Sequence, residues 1–252
     1  MGRVEGKIVV VTGAAGGQGA AEARALAAEG ATVVATDLSA PALRAEGIVG
    51  RALDVTSDDA WGALAEWLRS EHGRVDGLVN NAGISMRHRL AELTLADFER
   101  VMAVNVNGAL LGTQAIAPLM RGGGSIVNVS SVAGLVAYHG AGYTISKWGV
   151  RALSKVASLE LGPRGIRVNT IFPGYIETPM TATAPEAFRL ANIDVTPLGR
   201  LGRVDDVAPL IVFLISEESS YITGAEIAVD GGQSAHAGAK ALSDAVRSAS
   251  QP

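Results

Sequence analysis

Tyr143 and Lys147 are the residues whose types and spacing most directly suggest chemistry. They lie four residues apart in a predicted helix, so their side chains project from the same helix face. A free phenol has a pKa of about 10, too high for efficient proton transfer near neutral pH, and a neighbouring ammonium group lowers that pKa. The pair therefore predicts an acid/base site, although taken alone the same spacing also fits an ordinary pair on a helix surface.

Two serines at the end of a predicted strand could hold a substrate oxygen. Ser131 stands twelve residues before Tyr143, just beyond the predicted strand Ser125–Val129. A hydroxyl in that place can donate a hydrogen bond to a substrate oxygen as negative charge develops on it. Ser130 is the local alternative, and the layout Asn-Val-Ser-Ser favours the second serine.

A glycine-rich loop near the N-terminus forms a second candidate site. The segment Thr12–Gly19 (TGAAGGQG) follows the apolar predicted strand Ile8–Val11 and leads into the predicted helix Ala20–Glu29. Glycine permits a sharp turn and a close approach of the backbone to a pyrophosphate, while the helix N-terminus offers free N–H groups. This context favours a dinucleotide-binding loop over a merely flexible turn.

Asp37 comes directly after the next predicted strand, Thr32–Thr36, at a position that influences the choice of cofactor. A carboxylate there can accept hydrogen bonds from the adenosine ribose hydroxyls and would repel a 2′-phosphate. No Arg or Lys lies between Thr36 and Leu38. The sequence therefore predicts NAD rather than NADP, with a turn or helix-capping role for Asp37 as the alternative.

The elements that must position these residues alternate between short apolar strands and longer helices. Strands are predicted at Ile8–Val11, Thr32–Thr36, Ile48–Leu53, Gly77–Val79, Ser125–Val129, Ile166–Ile171 and Glu226–Val229. Helices are predicted at Ala20–Glu29, Ser57–Glu71, Thr94–Met120 with a polar interruption at Asn105–Asn107, Gly142–Leu161 and Asp205–Ser216. Repeated β-α-β units predict an α/β fold: a Rossmann-like, doubly wound parallel sheet of about seven strands with helices on both faces. We expect a single domain over residues 1–252, with residues 233–252 as a loosely held tail.

Composition narrows the classes of partner. The chain has 252 residues, a net charge of −4, no block of Lys or Arg and no cysteine, so we expect no nucleic-acid partner and no cysteine-based metal site. Its four histidines are scattered without ligand spacing, so we expect no metal. No signal peptide and no apolar stretch long enough for a bilayer is evident, so we expect a cytoplasmic protein without a membrane partner.

Taken together, the ordered motifs resemble the short-chain dehydrogenase/reductase family. They are the glycines of T-G-x-x-x-G-x-G (Gly13, Gly17, Gly19), Asn80-Asn81-Ala82-Gly83, Ser131, Tyr143-x-x-x-Lys147, Pro173-Gly174 and Val229-Asp230-Gly231-Gly232. The resemblance covers about residues 5–232. Within the family, the chain looks most similar to bacterial hydroxysteroid dehydrogenases of the 3α,20β type.

The resemblance implies a role for each matching residue. The implied catalytic tetrad is Asn105, Ser131, Tyr143 and Lys147, in which Asn105 supports a water relay behind the lysine. The implied contacts to NAD are Gly13, Gly17, Gln18, Gly19, Asp37, Asp54, Val55, Asn81, Tyr143, Lys147, Pro173, Ile176 and Thr178, and no metal takes part.

The predicted function is the NAD(H)-dependent interconversion of a secondary alcohol and a ketone. The expected pocket segments, Ser85–Leu90, Leu135–Ala141, Tyr175 and Thr181–Thr196, mix apolar and polar residues, with Arg87, Arg89 and Arg189 as local cations. We therefore expect a neutral hydrophobic substrate, steroid-like or cyclic. The alternatives are a carbonyl reductase of a small non-steroid ketone and an NAD-binding sensor without turnover. The resemblance also implies a homotetramer.

Overall fold

Seven parallel strands form one sheet in the computed structural model, which describes residues 2–249. The strands are β1 (Ile8–Thr12), β2 (Thr32–Asp37), β3 (Ile48–Ala52), β4 (Gly77–Asn80), β5 (Gly124–Val129), β6 (Ile166–Pro173) and β7 (Glu226–Val229). Their order across the sheet is β3-β2-β1-β4-β5-β6-β7, and every neighbouring pair is parallel. From β1 the chain adds strands toward one edge of the sheet, and from β4 it adds strands toward the other edge. At such a switch point, here between β1 and β4, a parallel sheet has a crevice at the carboxyl ends of its strands.

Helices cover both faces of the sheet. They are α1 (Gly17–Ala28), α2 (Asp58–His72), α3 (Leu95–Met102), α4 (Gly108–Ile116), α5 (Ala141–Leu161), α6 (Glu186–Val195), α7 (Val204–Ile215) and α8 (Ala239–Ala249). One apolar cluster joins the sheet to α1 and α7, through Leu26 and Ile211 among others, and a second joins it to α2 and α4, through Trp61 and Ile116. The α/β prediction is confirmed, whereas the single-domain boundary stays a prediction.

The central strands are continuous apolar runs because both faces of the sheet are covered. In β1, Val9, Val10 and Val11 alternate between the two clusters and are all fully buried. The helix α1 begins at Gly17, three residues earlier than the sequence predicted, so the last glycines of the loop already form its first turn. The loop and the helix N-terminus are therefore one structural unit at the end of β1.

The predicted helix Thr94–Met120, with its polar interruption at Asn105–Asn107, is helical from Leu95 to Leu119 but not uniformly α-helical. It consists of α3, a π-helix at Ala103–Asn107, α4, and a short 3-10 turn at Ala117–Leu119. A π-helical turn holds one extra residue and rotates the side chains that follow it. Here it turns Asn105 into the protein, where 2 % of the residue is exposed. The polar interruption visible in the sequence marks this irregular turn.

Beyond β6, the expected pocket segment Thr181–Thr196 contains the helix α6, and α8 is the last described helix. Within the tail, α8 has no buried side chain, and its Leu242 and Val246 are exposed. The part of the predicted tail after residue 249 lies outside the described residues. No helix among residues 2–249 is long and apolar enough to cross a membrane.

Candidate active site

A cleft of about 440 Å³ runs along the carboxyl ends of the central strands. It brings together every residue that the sequence predicted to contact a cofactor, together with three of the four predicted catalytic residues. These are Gly13, Gly17, Gln18, Gly19, Asp37, Asp54, Val55, Asn81, Ser131, Tyr143, Lys147, Pro173, Ile176 and Thr178. Asn105 is the predicted residue that does not line the cleft.

The glycine loop is built so that its backbone, rather than side chains, faces the cleft. Gly13 has a φ of +67°, and a Cβ there would lie 2.8 Å from the Cα of Ala82. A Cβ on Gly19 would lie 2.4 Å from the carbonyl oxygen of Gly13. Gly16 caps α1 without a side-chain hydrogen bond, so the first turn keeps N–H groups for an anion. The loop therefore fits a pyrophosphate.

Asn81 fixes this loop from the neighbouring strand. Its side-chain nitrogen donates to the carbonyl oxygens of Thr12 and Gly13 at 2.9 and 3.2 Å. The Thr12 hydroxyl in turn accepts from the backbone N–H groups of Asn81 and Ala82 at 3.1 and 3.0 Å. The side chain of Asn81 thus holds the loop in shape in addition to lining the cleft.

Asp37 is held at the β2 end of the cleft. One carboxylate oxygen accepts from the Ala15 N–H at 3.0 Å, and the other accepts from the Leu38 N–H at 2.8 Å. Among the described residues that line the cleft, Lys147 is the only Lys or Arg, and it lies beside β5 rather than β2. The adenosine end therefore presents a carboxylate and no cation that could pair with a 2′-phosphate.

Lys147 is buried on α5 with one hydrogen-bond acceptor. Its Nζ donates to the carbonyl oxygen of Val129 at 2.9 Å and lies 5.6 Å from the centre of the Tyr143 ring. Burial lowers the pKa of Lys147 to about 8. At neutral pH the ammonium form therefore predominates, and its positive charge sits beside the phenol.

The pKa of Tyr143 departs from its usual value in the direction opposite to the one we expected. Desolvation by the surrounding protein raises this pKa, the interaction with the Ser131 hydroxyl lowers it, and the neighbouring Tyr138 raises it. The expectation of a lowered phenol pKa is therefore not met in this structure, because removal from water outweighs the favourable contacts. The hydroxyl of Ser131 is nevertheless placed to act on the phenol.

The two candidate serines have different partners. Ser130 is 3 % exposed, and its hydroxyl donates to the carbonyl oxygen of Lys147 at 2.8 Å. Ser131 accepts from the Ala133 N–H at 3.2 Å, and its hydroxyl lies in the cleft beside the phenol of Tyr143. This geometry favours Ser131 as the residue that holds a substrate oxygen.

Asn105 lies one layer behind Lys147. Its side-chain oxygen accepts from the Ile84 N–H at 2.8 Å, and its nitrogen donates to the Ile84 carbonyl at 3.1 Å and to the Ser146 hydroxyl at 2.9 Å. A Cβ placed on Gly83 would lie 3.2 Å from the Asn105 oxygen and 3.5 Å from the Lys147 nitrogen. The side chain is therefore close to Lys147, yet bonded to protein groups rather than open to the cleft.

A smaller cavity of about 170 Å³ adjoins the cleft and shares Ser131 and Tyr143 with it. Its walls include Phe188 of α6 and Gln233 of the tail. The sequence predicts Gln233 in a loose tail, whereas in the structure the segment after β7 folds back and places Gln233 beside Asn192 of α6. Nothing in the local sequence indicates this contact. The cavity beside the reactive hydroxyls is the natural place for a substrate.

Comparison with known proteins gives consistent matches over most of the chain. A family model described as enoyl-(acyl carrier protein) reductase matches residues 13–234. A 3-oxoacyl-(acyl-carrier-protein) reductase from Thermotoga maritima is 44 % identical over 91 % of this chain and 98 % of that protein. A 3-alpha-(or 20-beta)-hydroxysteroid dehydrogenase from Mycobacterium tuberculosis is 44 % identical over 92 % of this chain and 90 % of that protein.

A solved structure shows the same fold. The crystal structure of a putative gluconate dehydrogenase from Agrobacterium tumefaciens superposes with a TM-score of 0.87 at 32 % identity. The match covers 92 % of this chain and 97 % of that one. The family-model match over residues 13–234 spans both the glycine loop from Gly13 onward and Tyr143.

Proposed function

The chain belongs to the short-chain dehydrogenase/reductase family, and we propose that it is an NAD(H)-dependent oxidoreductase that interconverts a secondary alcohol and a ketone. One observation carries this proposal. Ser131, Tyr143 and Lys147 meet in a single cleft whose other end is the glycine loop. A protein that only bound a nucleotide would have no use for a phenol, a hydroxyl and a buried ammonium arranged in this way.

The chemistry divides between the cofactor and the chain. When bound, the nicotinamide supplies or accepts the hydride. In the reductive direction, Tyr143 gives its proton to the substrate oxygen while Ser131 donates a hydrogen bond to that oxygen. The ammonium of Lys147 stabilises the phenolate that remains. In the oxidative direction, the same phenolate accepts the proton of the alcohol.

The proposed preference for NAD rests on Asp37. A 2′-phosphate at that end of the cleft would face a carboxylate that two backbone N–H groups hold in place. Among the described lining residues, no Lys or Arg at that end offsets the repulsion. A ribose hydroxyl, in contrast, can donate to the same carboxylate.

The proposed substrate carries a hydrophobic ring, as in a steroid-like or other cyclic alcohol. Tyr138, Tyr175 and Phe188 line the cavity beside the reactive hydroxyls, and apolar side chains complete much of its wall. The Mycobacterium tuberculosis relative, whose name states a hydroxysteroid substrate, supports this class. The resemblance to the family also leads us to propose a homotetramer.

Reduction of a small non-steroid ketone is the second candidate. The cavity volume of about 170 Å³ is small compared with the roughly 300–1,000 Å³ of typical ligand pockets. The relative from Thermotoga maritima is named as a reductase. The volume favours a compact substrate, and the name of the relative favours the reductive direction.

Replacing Tyr143 with Phe tests the proposal. We expect wild-type protein to form NADH from NAD and a secondary alcohol, and to form no NADPH from NADP, as followed by ultraviolet absorbance. Tyr143→Phe should lower kcat by roughly 10²–10⁴-fold, the usual contribution of a general acid/base. NADH binding, measured by fluorescence titration, should be unchanged because the glycine loop is intact.

Tyr221→Phe is the matched control, because Tyr221 is a fully exposed tyrosine far from the cleft lining. It should retain wild-type turnover. Substantial activity in Tyr143→Phe would refute the assignment of the acid/base. NADH binding without turnover across a broad panel of alcohols and ketones would favour a nucleotide sensor instead.

A further inference from the structure

Arg87 is the only charged residue among the described residues that line the smaller cavity. It lies on the loop that follows β4, and its guanidinium forms no ion pair or hydrogen bond with any described residue. Arg189 pairs with Glu177 at 3.0 Å. The neighbouring Arg89 does not line the cavity. Arg87 therefore presents an uncompensated positive charge at this cavity.

The positive charge of Arg87 affects the pKa of two neighbouring aromatic side chains, Tyr138 and His139. Burial raises the pKa of Tyr138, and the positive charge of Arg87 opposes that effect. Burial lowers the pKa of His139, and Arg89 and Arg87 lower it further. These effects indicate a positive potential on this side of the cavity, which favours an anionic group on a bound molecule.

The remaining walls are aromatic. The ring of Tyr138 lies 6.3 Å from that of Tyr143 and 6.2 Å from that of Phe188, and Tyr175 lies 5.7 Å from Phe188. Such walls suit the faces and edges of an apolar ring. The volume of about 170 Å³ favours one ring over four fused rings.

We propose, on the basis of the alcohol dehydrogenase activity proposed above, that the substrate is a single-ring secondary alcohol that bears a carboxylate. The ring lies between the aromatic walls, its hydroxyl meets Ser131 and Tyr143, and its carboxylate pairs with Arg87. A guanidinium can bind both oxygens of a carboxylate, so it fixes orientation as well as charge.

The oxidation of this alcohol needs NAD and no further reagent. The C–H bond of the carbinol carbon breaks and its hydride passes to NAD, while the hydroxyl proton passes to the phenolate oxygen of Tyr143. The products are the ring ketone, which keeps its carboxylate, and NADH. This substrate differs from the neutral one expected from the sequence, because the structure makes Arg87 the only charged residue among the described residues that line the cavity.

The test compares initial rates with a hydroxycyclohexanecarboxylate and with its methyl ester, using NAD and the full-length protein. We expect the wild type to show at least a tenfold higher kcat/KM for the acid. Arg87→Gln should lower kcat/KM for the acid by roughly 10–100-fold, mainly through KM, because it removes a hydrogen bond between charged groups. The values for the ester and the KM for NAD should not change.

Two further variants separate charge at the cavity from general effects. Arg87→Lys should retain part of the preference for the acid, since it keeps the charge but not the planar fork. Arg89→Gln removes a neighbouring exposed arginine that does not line the cavity, and it should lower kcat/KM for the acid much less than Arg87→Gln does.

Equal efficiency with acid and ester in the wild type, or equal losses on both in Arg87→Gln, would overturn the inference and leave the alcohol dehydrogenase proposal intact. If neither compound is turned over, calorimetric titration of cyclohexanecarboxylate into the enzyme–NADH complex decides. Binding that Arg87→Gln abolishes would support the anion site while the proposed reaction fails. Absence of binding to the wild type would overturn the site itself.

Discussion

Lys147 shows how a single residue serves a reaction at a cost to the stability of the fold. Lys147 is 5 % exposed, and among the described residues its ammonium has one hydrogen-bond acceptor, the carbonyl oxygen of Val129. Charged groups are rarely buried without a partner of opposite charge, since removal from water is unfavourable. A residue kept in this state indicates a functional requirement rather than a structural one.

Replacing Lys147 with Met should therefore stabilise the protein while it abolishes turnover. Burial lowers the pKa of Lys147 to about 8, against 10.5 for the free side chain. Below about pH 8 the native state holds a buried cation. Between about pH 8 and pH 10.5 the unfolded state binds more protons than the native state, so the stability of the wild type rises with pH in that range. Chemical denaturation at pH 7 should give the variant about 1–3 kcal/mol more stability, after allowance for the lost hydrogen bond.

The advantage of Lys147→Met should shrink as pH rises from about 8 through 10.5, because the lysine then loses its charge in both states. Lys155→Met offers a control, since the side chain of Lys155 is half exposed and pairs with Glu226. A variant at Lys147 that is less stable than wild type at pH 7 would contradict this account of the buried ammonium.

Among the elements, α1 carries a buried acid that the proposed chemistry does not use. Glu22 is fully buried; one oxygen accepts from the Gln18 side chain at 2.9 Å, and the other has no partner among the described residues. Burial raises the pKa of Glu22 to about 7, and the bond from Gln18 opposes this. The helix that begins at the glycine loop is thus destabilised wherever Glu22 is ionised.

The variant Glu22→Gln should remove this pH dependence. Between pH 4.5 and about 7 the native state holds a proton that the unfolded state has lost, so wild-type stability falls as pH rises. The variant should match wild type near pH 4.5 and exceed it at pH 8 by on the order of 3 kcal/mol. Thermal unfolding at the two pH values, with exposed Glu71→Gln of α2 as the control, measures the difference.

A gain at pH 8 that is no larger than the gain at pH 4.5 would show that Glu22 is not protonated in the native state.

The start of α1 is a boundary that the sequence misplaced. Glycine is unfavourable in helix interiors, so the sequence predicts that Gly17 and Gly19 belong to the loop. In the structure both lie in the first turn of α1. Gly19 packs so closely against Gly13 there that a side chain would not fit.

At the scale of the whole molecule, α5 links the cleft to the outer surface. Lys147 points inward from it, while Val156 and Leu159 are 53 % and 79 % exposed. Arg151 pairs with Glu226 of the edge strand β7 at 2.7 Å, which ties this helix to the end of the sheet. Exposed apolar side chains on a long helix suit contact with another copy of the chain.

Leu159→Glu should lower the oligomeric state if the proposed homotetramer uses this face. We expect a tetramer for the wild type and a smaller assembly for the variant, because burying a carboxylate in an apolar interface is unfavourable. Light scattering after size-exclusion chromatography measures the mass. Leu242→Glu on α8 is a control of similar exposure, and a monomeric wild type would contradict the proposal.

The sequence alone predicted the features that depend on local spacing. Six of the seven strands were placed within one residue at both ends, because buried parallel strands are short apolar runs between turns. The second strand ends in Asp37, as the sequence indicated. The resemblance in ordered motifs located the cofactor loop and the Tyr143 helix, since each motif is a short segment that keeps its own geometry.

Only the tertiary structure decided what depends on packing between distant segments. It showed that both Ser130 and Ser131 line the cleft and that the Ser130 hydroxyl donates to the backbone of α5. It showed that Asn105 lies in a π-helix, which no helical pattern predicts, and that its side chain is bonded to Ile84 and Ser146. It also brought Gln233, which the sequence predicts in a loose tail, to the cavity that Arg87 and Phe188 line. Spacing along the chain determines which side chains share one face of a helix or strand. How deeply each side chain is buried, and which groups it contacts, is determined only when those faces pack together.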